Sequence, residues 1–519
     1  MRAASFLAFL LSFVLSAPFL SSRAQDEGLL IKDATLFQEG EWKEGRFVFM
    51  KKGKIRELSK AVPEGKKAER SVDGKGHYLL PPLVNAHVHL WRSQPLKKAL
   101  GYGIFALLDM HTSDETAQRM RSFNDSLRYA SYYSSNAGAT VPKGHGTQFG
   151  IKVPTIDSAT DPESFVMDRI EAGADYIKIL REPRRPTVSF EQTQQIIDVA
   201  HREDKMVVAH VSRKDDAVKL VEQGVDGLAH VWSDEPIERE ELERMAKREV
   251  FVIPTLLVIK RMMKKDKGAN GEGWMRFEQV LKEVGRLHEA GVRILAGTDP
   301  PNAGIDYTGD LFEEMGLLHK AGLSKEEVLK AATSNIYEAF EPLPPYGFHP
   351  EKSASFLLLK EKPTAKFNIA EKLDRLYKKG EPLDPAALVT KSTAQDDPKG
   401  EGELTLSVGV DEMRSSKGKV LLQLKNGEQE KVGSKMASIE EKSCEVRFEG
   451  LEKGSYAVSV IHDENGNGKF DKNEQYIPEE GWGYSNNVKA KGGRPPFSEQ
   501  LVDVKADTTI RIHMDYYER

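Results

Sequence analysis

Cysteine is almost absent: Cys444 is the single one in 519 residues. That excludes an intramolecular disulfide framework and any cysteine-rich zinc module. A metal, if one is held, must rest on imidazole, carboxylate or a less usual ligand. Excess charge of one sign is also missing. There are 75 basic and 80 acidic residues with no basic stripe, which argues against a nucleic-acid partner. Apolar runs of spanning length are lacking too. The most apolar one, Ser5 to Leu20, is shorter than the roughly 20 residues a membrane span needs. Arg2 precedes it, and Ser22-Arg23-Ala24 offers a small-x-small cleavage site, so residues 1–24 read as a signal peptide. No cysteine follows the run to carry a lipid anchor. The expectation is export to the periplasm or beyond, with no stable membrane anchor after cleavage.

What is present falls into segments. Residues 25–78 hold short strands split by Gly- and Lys-rich breaks, such as Arg46-Phe47-Val48-Phe49-Met50 and Lys54-Ile55-Arg56-Glu57-Leu58; they predict a small β unit. From 79 to 342 apolar runs alternate with helical stretches, the pattern of βαβ units. Strands are expected at Leu79–His89, Ile104–Asp109, around Ser134–Val141, Tyr176–Leu180, Met206–Val211, Gly227–His230, Val250–Thr255 and Val292–Thr298. Eight strands over this length predict a (β/α)8 TIM-like barrel, with a doubly wound sheet as the alternative. A further β fragment is expected within 343–365, at Ser355-Phe356-Leu357-Leu358-Leu359, and a Lys-, Pro- and Ser-rich linker over 366–400. Residues 401–519 alternate strictly, as in Leu404, Leu406, Val408 and Val410, and predict a separate all-β sandwich.

Polar residues at strand ends carry the chemistry. His87 and His89 close an apolar strand, two apart and so on one face. His210 ends Met206-Val207-Val208-Ala209, His230 ends Gly227-Leu228-Ala229, and Asp299 follows Ile294-Leu295-Ala296-Gly297-Thr298. A lone strand-end histidine is more often a satisfied polar residue than a ligand. Four histidines and an aspartate at the C-terminal ends of barrel strands form a metal-site pattern. His201, His288, His319, His462 and His513 lack that setting. Lys178 alternates with Ile177 and Ile179 in a strand. A protonated ammonium has no lone pair for a metal, so spacing alone favours a lysine paired with a carboxylate.

In order, Asn85-Ala86-His87-Val88-His89, Ala174-Asp175-Tyr176-Ile177-Lys178-Ile179, Val208-Ala209-His210, Leu228-Ala229-His230 and Ala296-Gly297-Thr298-Asp299 resemble the amidohydrolase superfamily. The likeness is to its imidazolonepropionase-like and prolidase-like branch, over about residues 28–360. It implies a small β-sandwich composed of segments on both sides of the barrel. It also implies a carboxylated Lys178 bridging two divalent ions, most suitably zinc. His87, His89 and Asp299 would hold one ion, and His210 and His230 the other. Gly144-His145-Gly146 resembles a segment whose histidine contacts substrate, so His145 and Asp299 are the expected catalytic residues. Five positions depart from the family pattern: Pro82 for glycine, Asn85 for aspartate, Ser355 for aspartate, and Ile336-Tyr337 for Pro-Ala. They lie away from the ligands and bear on substrate more than on chemistry.

The implied activity is C–N amide hydrolysis by a water or hydroxide bridging the metals, on a small molecule such as an Xaa-Pro dipeptide or N-acyl amino acid. A lactonase or cyclic-amide hydrolase on the same centre, and a non-catalytic surface-binding protein with a relic barrel, are the alternatives. A homo-oligomer is left open. In the C-terminal region, Asp463, Asn465, Asn467, Lys469, Asp471 and Glu474 follow a calcium-loop spacing. A strand precedes that loop, and an Asn-Gly hairpin turn is the competing explanation. With Gly481-Trp482-Gly483-Tyr484, the loop gives the region a resemblance to the DUF2141 family of secreted β domains, for which no activity is established.

Overall fold

The computed structural model describes residues 28–517 except 66–67, 150–152, 158–159, 266–275, 365, 390–403, 428, 430, 469, 472, 474–477 and 490–494. The expected signal peptide and the last part of the expected linker lie outside the described residues. No helix among those described is long and apolar enough to cross a membrane. The chain divides into two units, Met1–Val389 and Thr390–Arg519.

The first unit opens with β1 (Leu29–Gln38), β2 (Glu41–Lys51), β3 (Lys54–Ser59), β4 (Arg70–Asp73) and β5 (Tyr78–Leu80). Eight barrel strands follow: β6 (Leu83–Val88), β7 (Ile104–Asp109), β8 (Ser131–Ser134), β9 (Ile177–Leu180), β10 (Val207–His210), β11 (Gly227–Ala229), β12 (Phe251–Ile253) and β13 (Arg293–Ile294). Three strands come after the barrel: β14 (Phe356–Leu359), β15 (Leu373–Lys378) and β16 (Glu381–Leu383).

Strands β6 to β8 and β9 to β13 form two all-parallel ladders. Backbone hydrogen bonds join them on both sides. Ala139 N donates to Lys178 O at 2.7 Å and Leu180 N to Ala139 O at 2.9 Å. Across the other seam, Ala86 N donates to Ala296 O at 2.9 Å and Asp299 N to His87 O at 2.8 Å. The ring is thus an eight-stranded barrel. Val84, Ala106, Val208, Ala229 and Ile253 pack inside it, while Ile177, Ile179, Val207 and Ala209 pack outward in the larger core that includes residues of the surrounding helices. The third strand lies earlier than expected. The chain leaves the ladder after Ser134 because Asn136 adopts a left-handed φ of 56° and donates its amide to Ser134 Oγ; Ala139 then rejoins by one bridge to Ile179.

The flanking strands make one eight-stranded sheet, ordered β16-β15-β14-β5-β1-β2-β3, with β4 also paired to β1. Its core includes Ile31, Val48, Leu79, Phe356 and Leu358. The linker expected over 366–400 is corrected here: β15 and β16 belong to this sheet, and Pro385–Val389 is a helix. Lysine-rich composition hid the strand. Leu373, Leu376 and Tyr377 are buried, and so is Lys378, whose ammonium donates to Ser126 O and Tyr129 O at 2.8 and 2.5 Å.

The second unit is a sandwich. One sheet orders Cys444–Leu451, Leu404–Asp411 and Thr508–His513. The other orders Lys431–Ala437, Lys419–Asn426, Gly454–Asp463 and Gly481–Tyr484, with Val502–Val504 paired to Gly454–Asp463. Leu406, Val408 and Val410 from one sheet meet Val420, Leu422, Val458 and Val460 from the other, as alternation demands.

Candidate active site and metal centre

The C-terminal ends of the barrel strands enclose a cavity of about 590 Å³ lined by His87, His89, His145, Lys178, His210, His230 and Asp299. The structure therefore gathers all six expected ligands and the expected substrate-contact histidine in one place. Lys178 arrives by alternation, opposite Ile177 and Ile179. His210 arrives likewise, on the face of β10 opposite Ala209. His230 needs a different device. Leu228 packs outward and Ala229 inward, so simple alternation would send residue 230 outward. His230 instead has a φ of 61°, which re-aims its ring into the cavity. Asp299 has a φ of 65° and Thr255, beside His230, a φ of 48°. Left-handed backbone at non-glycine residues is strained and clusters at functional sites.

The donor atoms converge. Asp299 Oδ1 lies 3.1 Å from His89 Nε2 and 3.5 Å from His87 Nε2. One ligand atom each of His87, His230 and Asp299 falls within 4.8 Å of the other two. Ring centroids are 4.8 Å apart for His87 and His230, and 4.7 Å for His210 and His230. His230 Nδ1 meets Thr255 Oγ1 at 2.5 Å, and Thr255 Oγ1 donates to Pro254 O. The hydroxyl proton is thereby used, so the ring must donate from Nδ1, leaving the Nε2 lone pair free. His89 Nδ1 donates to His111 O at 3.2 Å, and Asn302 Nδ2 donates to Asp299 Oδ1 at 2.9 Å. Asn85, the departure from the family pattern, ties β6 to the Asp299 loop by donating to Thr298 Oγ1 and accepting from Thr298 N.

Burial decides the charges. It drives His210 down to about 3 and His145 to about 4. It holds His87 and His230 well below the usual imidazole range, helped by neighbouring cationic groups. Burial also lowers His89, but the Asp299 carboxylate outweighs it and raises that ring. Asp299 is raised by burial and brought below its ordinary value by the bond from His89. Lys178, 1% exposed, falls to about 7 because burial penalises its ammonium. The site thus holds neutral imidazoles at His87, His145, His210 and His230, an imidazole at His89 that the Asp299 carboxylate favours in its charged form, and an amine poised to lose its proton. His87 Nδ1, Lys178 Nζ and His210 Nε2 are buried without a hydrogen-bond partner in the protein. Orphaned buried nitrogens are costly, and divalent cations would satisfy lone pairs of this kind. The donor set therefore fits a metal centre.

Two residues escaped sequence reasoning. His111 also lines the cavity, with Nδ1 accepting from Gly138 N at 2.9 Å. Glu182 stands with Oε2 3.6 Å from His210 Nε2, too long for a hydrogen bond. Burial raises the Glu182 carboxyl, but the Arg184 fork at 2.9 and 2.8 Å outweighs it and holds the group well below its ordinary range. Each stands two residues beyond a barrel strand, at Asp109 and Leu180, so the rule that found His89 could have found them.

In the second unit, Asp463, Asn465, Asn467 and Asp471 come together, while Lys469 and Glu474 lie outside the described residues. Asp463 accepts from the amides of Gly466, Asn467 and Gly468, and Asp471 Oδ2 accepts from Asn465 and Asn467 Nδ2, each at 2.6 Å.

Known proteins match this layout. The model described as amidohydrolase family matches residues 78–383, and the one described as an uncharacterized protein conserved in bacteria (DUF2141) matches 408–511. Ochratoxinase of Aspergillus niger is 24% identical over 254 residues, 41% of this chain and 50% of its own length. The chain thus spans about half the length of that relative. The 5'-deoxyadenosine deaminase of Methanothermobacter thermautotrophicus is 25% identical over 357 residues, 59% of this chain and 77% of its own. Among solved structures, an Xaa-Pro dipeptidase with methionine bound in its active site superposes at a TM-score of 0.58. It is 18% identical, and the superposition covers 69% of this chain and all of that one. The family match covers the barrel, the rim that carries the converged candidate ligands, and more than half of the sequence, and so the chain belongs to the amidohydrolase family.

Proposed function

We propose that this protein is a metal-dependent hydrolase of C–N amide bonds. The observation that carries this reading is the convergence of four imidazoles, Lys178 and Asp299 in one cavity, with buried nitrogens lacking protein partners. His87, His89 and Asp299 would hold one divalent ion, His210 and His230 a second, and Lys178 would bridge them. An amine near neutrality supports carboxylation of Lys178: Nζ attacks the carbon of CO2, an N–C bond forms, and one proton leaves. The product is an anion with two oxygens, which solves the problem of a lysine among ligands. Imidazole and carboxylate donors suit zinc.

Bound there, the ions would supply a Lewis acid for the carbonyl and a water whose pKa is lowered toward roughly 7. Asp299 takes the proton of the attacking water. It then delivers a proton to the leaving nitrogen as the C–N bond breaks. His145 is neutral and donates an N–H toward the carbonyl oxygen as negative charge develops there. The substrate class that follows from the relatives' printed activities and the export expectation is small amides, including dipeptides and N-acyl amino acids. Export is part of the proposal, supported by the signal-peptide reading of residues 1–24. Calcium binding at Asp463, Asn465, Asn467 and Asp471 is a further part of the proposal, tested by calorimetric titration of the whole protein with calcium.

The decisive experiment measures metal content and amide hydrolysis in parallel for the unaltered chain, Asp299→Asn and Lys178→Ala. Asp299→Asn should lose at least about 100-fold in kcat, the scale of general acid–base assistance; full activity would remove its assigned role. Lys178→Ala should bind fewer ions, and two retained ions would defeat the bridging lysine. Native mass spectrometry should show the added mass of one CO2 at neutral pH and its loss in acid.

A further inference from the structure

Six large apolar side chains stand exposed among the described residues: Val62, Phe149, Met167, Met262, Met436 and Tyr517. Two of them, Phe149 and Met262, line the catalytic cavity. Exposed apolar groups are ordinary when scattered; a pair concentrated at the rim of one cavity marks a place where something apolar binds. Phe149 follows the His145 loop, its ring centroid 6.1 Å from that of His145 and 6.5 Å from that of His89. Met262 belongs to the helix Leu256–Lys265, which continues directly from β12. The same helix gives Val258, Ile259 and Met263 to the cavity lining. These four positions fall at i, i+1, i+4 and i+5, one face of a helix. The helix is held from below: both oxygens of the buried Glu314 carboxyl accept from its first amides, Leu256 N at 2.9 Å and Leu257 N at 2.7 Å.

Two polar groups of the lining are already engaged within the protein. Arg184, a guanidinium that a substrate carboxylate would seek, is forked onto Glu182. Gln148 Oε1 accepts from Gly146 N at 2.8 Å. The apolar wall offers a surface for a part of the substrate beyond the reacting amide.

We infer that Phe149, Val258, Ile259, Met262 and Met263 form a subsite for a bulky apolar group of the substrate, a medium-length alkyl or aryl acyl chain. The protein is then selective for N-acyl amides with a large apolar acyl part over short or charged ones. Methionine and phenylalanine suit this task, because flexible thioethers and a flat ring adapt to chains of varied shape. The inference rests on the amide-hydrolase reading for its chemistry.

The test uses N-acylglycines of increasing acyl length, from acetyl through hexanoyl to decanoyl, on the metal-loaded full chain. Binding is measured calorimetrically to Asp299→Asn protein, and kcat/KM is measured on unaltered enzyme. Burial of each added methylene should tighten binding roughly fourfold until the wall is covered. Phe149→Ser and Met262→Ser change exposed positions, and each should flatten that slope. A flat series in the Asp299→Asn background, or a slope that survives both substitutions unchanged, would overturn the subsite. A steep binding series with no hydrolysis of any member leaves the subsite standing and overturns the amide-hydrolase reading.

Discussion

At the scale of residues, one hydroxyl governs one proposed ligand. Thr255 Oγ1 gives its proton to Pro254 O and so obliges His230 to present Nε2 to the cavity. Thr255→Val keeps the shape and removes the acceptor. Affinity for the metal should fall about 10- to 100-fold, the usual effect of losing a partner behind a ligand. Thr255→Ser should stay near the unaltered protein. Competition with a chelator measures both. Asn302→Ala, which frees Asp299 Oδ1 from its amide donor, should lower kcat more than it raises KM; a pure KM effect would assign Asn302 to substrate binding instead. Legibility differed sharply among these residues. His87, His89 and His210 could be read because each ends an apolar run. Lys178 became readable as a ligand only through family likeness, since its chemistry argued against the role. The turning of His230 and Asp299 into the site was not legible, because it depends on a φ sign that histidine and aspartate do not announce.

At the scale of elements, the helix Leu256–Lys265 depends on a single buried carboxyl. Burial pushes Glu314 up to about 8, against the pull of two amides. A carboxyl raised in the folded state keeps a proton that the unfolded chain has released. Its contribution to stability is fully present below the ordinary value of 4.5 and is lost as pH rises through about 8. Glu314→Gln cannot titrate, so the decline in melting temperature over that window should be smaller in the variant than in the unaltered protein. Equal declines would show that other groups set it. Helices and strands themselves were mostly legible. The helical stretch after β9, for example, spans Phe190–Arg202 and is begun by Ser189 in a capping box with Gln192. The misplaced third strand and the overlooked Leu373–Lys378 share a cause. In both, polar contacts outweigh what composition indicates: a local turn at Asn136 ends the third strand, and two distant carbonyls, Ser126 O and Tyr129 O, hold the Lys378 ammonium.

At the scale of the whole molecule, each unit carries its own core, one joining barrel strands to helices and one between the sheets of the sandwich. Calorimetry of the full chain should therefore show two transitions. Adding zinc at about 100 times its Kd should raise the first unit's stability by about 2.7 kcal/mol and leave the transition of the sandwich in place. A single transition that moves as one would join the two energetically.

The flanking sheet has a consequence in time. β5 pairs with β14 through Leu80 and Leu357, so strands made near the start of the chain wait for partners made after the barrel. At ordinary rates of synthesis, those roughly 280 intervening residues take about a quarter of a minute to a minute to emerge. Throughout that interval β5 is an apolar strand with one side unpaired, the kind of edge that recruits other chains. Newly made protein is thus exposed to aggregation until the strand that follows its barrel has emerged, and a chaperone that binds extended apolar segments would find its target at Tyr78–Leu80.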